Sequence, residues 1–160
     1  ELQSVIPVPI INGVAETVKL LKAQGVKKVG IMATDGTIRS GLLSRELDLA
    51  GIVPVVPSSK RQEDVMHLIY ENVKAGKPAN MQRFRRVQQE LNDCGAEVII
   101  LGCTELSLIK RDGNIGPGFL DVMEVLARET VIRSGKKLKP NYETLLKGGD
   151  IHAAQYSGVS

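Results

Sequence analysis

GAEVIILGCTELSLI, residues 95–109, decides the fold of this chain. Glu97–Leu101 is an apolar run of strand length, entered through Gly95 and leading to Gly102. It breaks at Cys103-Thr104-Glu105, and a second apolar segment of helical character begins at once. A buried strand that ends in a thiol, a hydroxyl and a carboxylate is either a plain turn or the rim of an active site.

Working outward from this stretch, strand and helix signals alternate along the chain. Upstream, Asn80 can cap a helix running to about Asp93, which Gly95 terminates. Residues 61–75 predict a long amphipathic helix with Val65, Ile69, Tyr70 and Val73 on one face and Gly76 past its end. Ile52–Val56 reads as a short strand closed by Pro57-Ser58-Ser59, and a helix is expected over about 39–50. Val26–Met32 reads as a buried strand, and residues 12–24 as a helix stopped by Gly25. Downstream, GNIGPGFLD is irregular or at best a short strand ending at Asp121, and residues 122–134 predict a strong helix. The segment from Lys136 onward is polar, with Gly148-Gly149, and is expected to be partly ordered at most. Domain organisation follows: an α/β domain over 1–135 and a polar tail over 136–160.

That alternation means parallel strands joined by crossover helices, an open doubly wound parallel sheet flanked by helices. In such sheets the ligand crevice lies beyond the carboxyl ends of the strands. Two clusters fall there, Thr34-Asp35-Gly36-Thr37 after one strand and Cys103-Thr104-Glu105 after another, so both are expected on one rim.

Composition narrows the classes. The chain has 160 residues, 42% hydrophobic and 24% charged, enough to bury a core. A net charge of +3, with no aromatic and basic stripe, argues against nucleic acid. No apolar run reaches the ~18 residues of a membrane-spanning helix, and no basic n-region or cleavage site marks a signal peptide. A cytoplasmic location is expected. Two cysteines make neither a disulfide framework nor a zinc site, so no metal is expected. The chain opens on Glu1 before the apolar Val5–Ile11, and reads as if cut from something longer.

At a helix start, Cys103 would sit among free backbone N–H groups that favour a thiolate, which can serve as nucleophile, metal ligand or proton-transfer base. A small buried turn residue is the plain alternative. A Cys-His hydrolase is disfavoured, because His67 lies inside a helix and His152 in the tail. Cys94 belongs at the opposite end of the sheet, about 20 Å away at ~3.3 Å per residue. It is expected to be a packing residue and cannot pair with Cys103. The Thr34–Thr37 segment could cradle a phosphate or a carboxylate, or cap a helix through Thr37. Lys74 fits dipole compensation at a helix end, and Arg83, Arg85 and Arg86 a solvated helix face.

With these residues in place, the chain resembles the C-terminal half of the aspartate/glutamate racemase family, the cofactor-independent amino-acid racemases. Gly102-Cys103-Thr104-Glu105-Leu106 is similar to the family's second cysteine signature. KKVGIMATDGTIRSG (27–41), VVPSSKRQEDVMHLIYENVKAGK (55–77) and FLDVMEVLARETVI (119–132) agree with it in order and spacing, over roughly residues 3–135. The resemblance implies one half of a two-domain enzyme, with the active site in a cleft between similar halves. Each half offers one thiol to opposite faces of the substrate Cα, and no cofactor is needed. Cys103 would be one acid/base thiol; Thr104 and Glu105 would meet the substrate's polar groups, with Thr34 and Thr37 nearby and Lys74 at a carboxylate. Glu105, where glutamate racemases usually have His, resembles the aspartate or broad-specificity branch.

The family's first signature, of Cys-Asn-Thr type, is absent from this chain, and Leu43 stands where relatives often have Tyr. The implied partners are an amino-acid substrate and an N-terminal domain or partner chain carrying the second cysteine, with a homodimer through the exposed cleft face. The isolated chain should then be inactive. A stand-alone binding or interaction domain that kept the fold without the chemistry is the alternative.

Overall fold

The computed structural model describes residues 2–146. Its elements are α1 (Leu2–Val5), α2 (Gly13–Ala23), β1 (Lys28–Met32), α3 (Asp35–Ser40), α4 (Leu42–Leu49), β2 (Val53–Val55) and α5 (Ser59–His67). A π-helical segment (Leu68–Val73) continues α5, followed by α6 (Met81–Asp93), β3 (Val98–Leu101), α7 (Thr104–Asp112), β4 (Phe119–Asp121), α8 (Val122–Arg133) and a 3-10 turn (Pro140–Tyr142). The expected α/β alternation is present. All strands pair in parallel in the order β2-β1-β3-β4. The order reverses between β1 and β3, and the crevice of such a sheet opens there.

Helices cover both faces, as near-continuous apolar strands require. Val29, Ile31, Val98, Ile100 and Leu120 pack with α2, α4 and α8 on one face. Met32, Ile99, Leu101 and Phe119 pack on the other with α5, α6, α7 and the π-helical segment. Side-chain caps set the helix starts. Asn12 Oδ1 accepts from Val14 and Ala15 N–H at 3.0 and 3.2 Å, Asn80 Oδ1 from Arg83 N–H at 3.1 Å, and Asp121 Oδ1 from Met123 N–H at 2.8 Å.

Where α6 crosses β1 there is no room for a side chain. A Cβ on Gly30 would lie 3.0 Å from Leu91 Cδ1, 3.1 Å from Leu91 Cβ and 3.2 Å from Ile99 Cγ1. Leu91 is fully buried, so it cannot swing away. Gly30→Ala is therefore expected to destabilise the fold by about 1–3 kcal/mol, measured by urea unfolding. An unchanged midpoint would show that α6 lifts off the sheet at no cost.

Several local expectations are corrected. The helix expected over 39–50 is two helices, because Gly41 turns left-handed (φ 65°) between them. The helix expected over 61–75 starts at Ser59 and becomes π-helical from Leu68, which leaves Tyr70 exposed rather than on the buried face. Cys94 is exposed, not a packing residue. Past α8, residues 136–146 run back over the helices, and Leu146 is buried against the α2 and α8 side of the core. Gly148-Gly149, His152 and the rest of 147–160 lie outside the described residues.

Candidate active site

The crevice is built from two loops that leave neighbouring strands at one level. Met32 pairs with Leu101, and Gly102 N–H donates to Met32 O at 2.9 Å. Two residues past this pair, beyond the ends of the two strands, stand Thr34 and Cys103. The two clusters read from the sequence therefore share a rim.

Cys103 is the N-cap of α7 in extended conformation, and its side chain makes no capping bond. Instead Sγ donates to Glu105 Oε2 at 2.6 Å, and Thr104 Oγ1 donates to the same oxygen at 3.0 Å. Lys74 Nζ lies 3.8 Å from Glu105 Oε1. Four of the sequence-predicted residues thus meet in one cluster: a thiol on a carboxylate, the carboxylate flanked by a hydroxyl and an ammonium.

Burial pushes the Cys103 thiol up to about 11, helped by the hydrogen bond to Glu105 and by its negative charge. The N–H groups of Glu105 and Leu106 pull the other way and lose. The expectation that the helix start favours a thiolate is therefore corrected. At neutral pH Cys103 is a thiol. Glu105 is held below the usual carboxylate range, chiefly by the hydrogen bond from Cys103, against its partial burial, with Thr104 and the Lys74 charge adding to the lowering.

This arrangement makes a testable statement about reactivity. Glu105→Gln removes the carboxylate charge beside the thiol, so the Cys103 pKa should fall below about 11 while burial still keeps it above an ordinary thiol. Alkylation by iodoacetamide at pH 8, in a Cys94→Ser background, should speed up ~10-fold. Slower or equal alkylation would mean that Glu105 does not hold the thiol protonated.

Thr34 and Thr37 are bound to each other. Their hydroxyls lie 3.0 Å apart, and Thr37 N–H donates to Thr34 Oγ1 at 3.3 Å. Thr34, not Thr37, is the cap of α3. Thr37 and Gly102 line the same open depression of about 340 Å³, with Ser40, Leu43 and Val122.

Sequence reading missed the supports of this site. Gln62 Nε2 donates to Ala33 O and to Asp35 Oδ1, both at 2.9 Å, tying α5 to the loop that carries Thr34. Ser107 Oγ donates to Asp121 Oδ1 at 2.8 Å, joining the first turn of α7 to the end of β4. Ser107 stands four residues after Cys103, a helical spacing that could have flagged it. Arg85 and Arg86 are exposed and Arg83 partly so, as a solvated face predicts, but the face is not idle: Arg83 and Arg86 bind Asp64, while Arg85 donates to the carbonyls of Asn114 and Ile115.

Known proteins bear on these residues. A 30% identical relative, matched over 117 residues, is an uncharacterised protein encoded in the pnlA 3′ region of Pectobacterium carotovorum subsp. carotovorum; the match spans 72% of this chain and 78% of that protein. An aspartate racemase homologue from Pyrococcus horikoshii superposes with a TM-score of 0.74 at 25% identity, over 84% of this chain and 60% of its own. The Picrophilus torridus aspartate racemase superposes with a TM-score of 0.62 at 28% identity, over 82% of this chain and 55% of its own. The chain thus spans 55–60% of the length of these two solved structures. The family model for Asp/Glu/Hydantoin racemase matches residues 1–130, four fifths of the sequence, and with the shared fold and the Cys103 rim it establishes that this chain belongs to the Asp/Glu/Hydantoin racemase family.

Proposed function

We propose that this chain is the C-terminal domain of a cofactor-independent, two-cysteine racemase acting on aspartate or glutamate. The observation that carries the reading is the Cys103 thiol held on the Glu105 carboxylate at the crevice rim. The α-proton of an amino acid is very weakly acidic, and inversion means removing it from one face and returning a proton to the other. One group must be a base while the opposite group is an acid. In this chain Cys103 rests as the acid. A thiolate on the opposite face takes the α-proton as the Cys103 proton goes to Cα from Sγ. Cys103 is then left as a thiolate, poised to act as base on the product.

The second thiol comes from an N-terminal domain or partner chain. Cys94 cannot supply it. Its carbonyl accepts from Lys28 Nζ at the start of β1, the end of the sheet away from the rim. Without the second thiol the site is incomplete and the isolated chain inactive. Thr104, Glu105 and Lys74 meet the substrate's charged ends, with Thr34 and Thr37 across the rim. The assembly is a cytoplasmic homodimer in this reading; among the described residues no helix is long and apolar enough to cross a membrane.

The test is α-proton exchange of L- and D-aspartate and of L- and D-glutamate in deuterated water, with full-length protein and with this chain alone. Exchange of both enantiomers by the full-length protein alone is the expected result. Racemisation by this chain at an ordinary enzymatic rate would overturn its incompleteness. No exchange of either amino acid by the full-length protein would leave the second reading, a ligand-binding domain with the fold and no activity.

A further inference from the structure

We propose that Tyr70 is a positioning residue of this site: its ring, together with the π-helical register of Leu68–Val73, holds the Lys74 ammonium over Glu105. The proposal rests on the racemase reading for what Cys103 does, but it concerns a contact that can be measured without turnover.

The geometry begins with the backbone. Lys74 N–H donates to Ile69 O at 2.9 Å and Lys77 N–H to Asn72 O at 2.9 Å, each five residues back instead of the four of an α-helix. Such widened turns are rare and concentrate at functional sites. Here the extra residue per turn divides the segment into two sides. Leu68, Ile69 and Asn72 are buried, and Asn72 Oδ1 accepts from Asn80 N–H at 3.2 Å, closing the hairpin between α5 and α6. Tyr70 and Lys74 are left together on the open side, and the segment packs against α7, which carries Glu105.

On that side Lys74 Nζ lies 4.3 Å from the centre of the Tyr70 ring while reaching Glu105 Oε1. A lysine side chain nearly half exposed, on a four-carbon stem, has many rotamers in water. The ring removes many of them by attracting the cation to its face. Glu105 is faced by Cys103 and Thr104 from its own turn and by Lys74 from the π-helical side. Tyr70 therefore acts through Lys74 on the charge beside the thiol. Tyr70 is about half exposed and belongs to neither core cluster, so it is not a core anchor.

The test is a ¹³C NMR titration of the Glu105 side-chain carboxyl between pH 2.5 and 7. Lys74→Met should raise its midpoint by ~0.5 unit, because a nearby cation has been lost. Tyr70→Ala should raise it by about half as much or more, and Tyr70→Phe, which keeps the ring, should leave it at the wild-type value. The double variant Tyr70→Ala/Lys74→Met should match Lys74→Met alone. The same spectra report whether each variant is folded, and Tyr70→Leu serves if the alanine variant is not. A Tyr70→Ala midpoint equal to wild type, or a double variant shifted by the sum of the two, would overturn the proposal. So would an unshifted Lys74→Met. None of these outcomes depends on aspartate exchange, so failure here is distinct from failure of the racemase reading.

Discussion

Replacing Cys103 by alanine in the full-length protein is expected to lower α-proton exchange of aspartate by about 10²–10⁴-fold, the usual contribution of a positioned acid or base. The loss should be unequal between enantiomers. In the two-cysteine reading proposed above, a thiolate on the opposite face would still reach one face of Cα, so slow exchange of one enantiomer would survive while inversion is lost. The substrate's KM should change far less, because Sγ donates to Glu105 and in the proposed reading the substrate's polar ends are met by other side chains. Cys103→Ser keeps the donor geometry but raises the pKa of the donating group by several units, and should be nearly as inactive. The measurement is deuterium incorporation into each enantiomer separately. Equal, unchanged exchange of both by Cys103→Ala would remove Cys103 from the chemistry.

The largest stability effect is expected at Asp64. Its side chain is 5% exposed and lies between α5 and α6, bound by Arg61 at 2.5 Å, by Arg83 and, at 3.4 Å, by Arg86. Burial alone would raise its pKa, but the three guanidinium groups outweigh it and hold the carboxyl below its ordinary value. Asp64→Ala leaves three cations facing one another across the hairpin. Breaking a buried pair typically costs about 3–5 kcal/mol, and the partial exposure of Arg83 and Arg86 reduces that to about 2–4 kcal/mol here. Urea unfolding measures it. A loss below ~1 kcal/mol would mean that water replaces the carboxylate freely.

The sign of the pH dependence follows. Because the folded-state pKa of Asp64 is depressed, its contribution is fully present above the unfolded value, about 4, and is lost as pH falls through the folded value. Wild-type stability should therefore decline below about pH 4, and Asp64→Ala should lack that part of the decline. The cluster sits on the hairpin that carries Tyr70 and Lys74, so loosening it should also weaken the hold on Glu105.

The strands and helices were legible because their signals are local. Val29, Ile31, Val98 and Ile100 announce buried strands by composition, and Asn80 and Gly95 bound a helix by their own backbone preferences. The site's location was legible too, since an open parallel sheet puts its crevice at strand ends, and Thr34 and Cys103 both follow one. The binding of Arg83 and Arg86 to Asp64 was not legible, for the converse reason. Their partner Asp64 lies about 20 residues away, and the spacing of charges along one helix is silent about a second helix.

By itself, then, the sequence determined an α/β sheet with a thiol-bearing rim, because hydrophobic period and strand-end chemistry are properties of neighbouring residues. Only the tertiary structure decided the state of that thiol. A helix start favours a thiolate at Cys103, yet the folded chain half-buries it against Glu105, and desolvation with a like charge exceeds the pull of two N–H groups. The reach of Lys74 onto Glu105 was equally a matter of folding. It depends on the π-helical register after His67 and on the packing of α7, about thirty residues further on, against that segment.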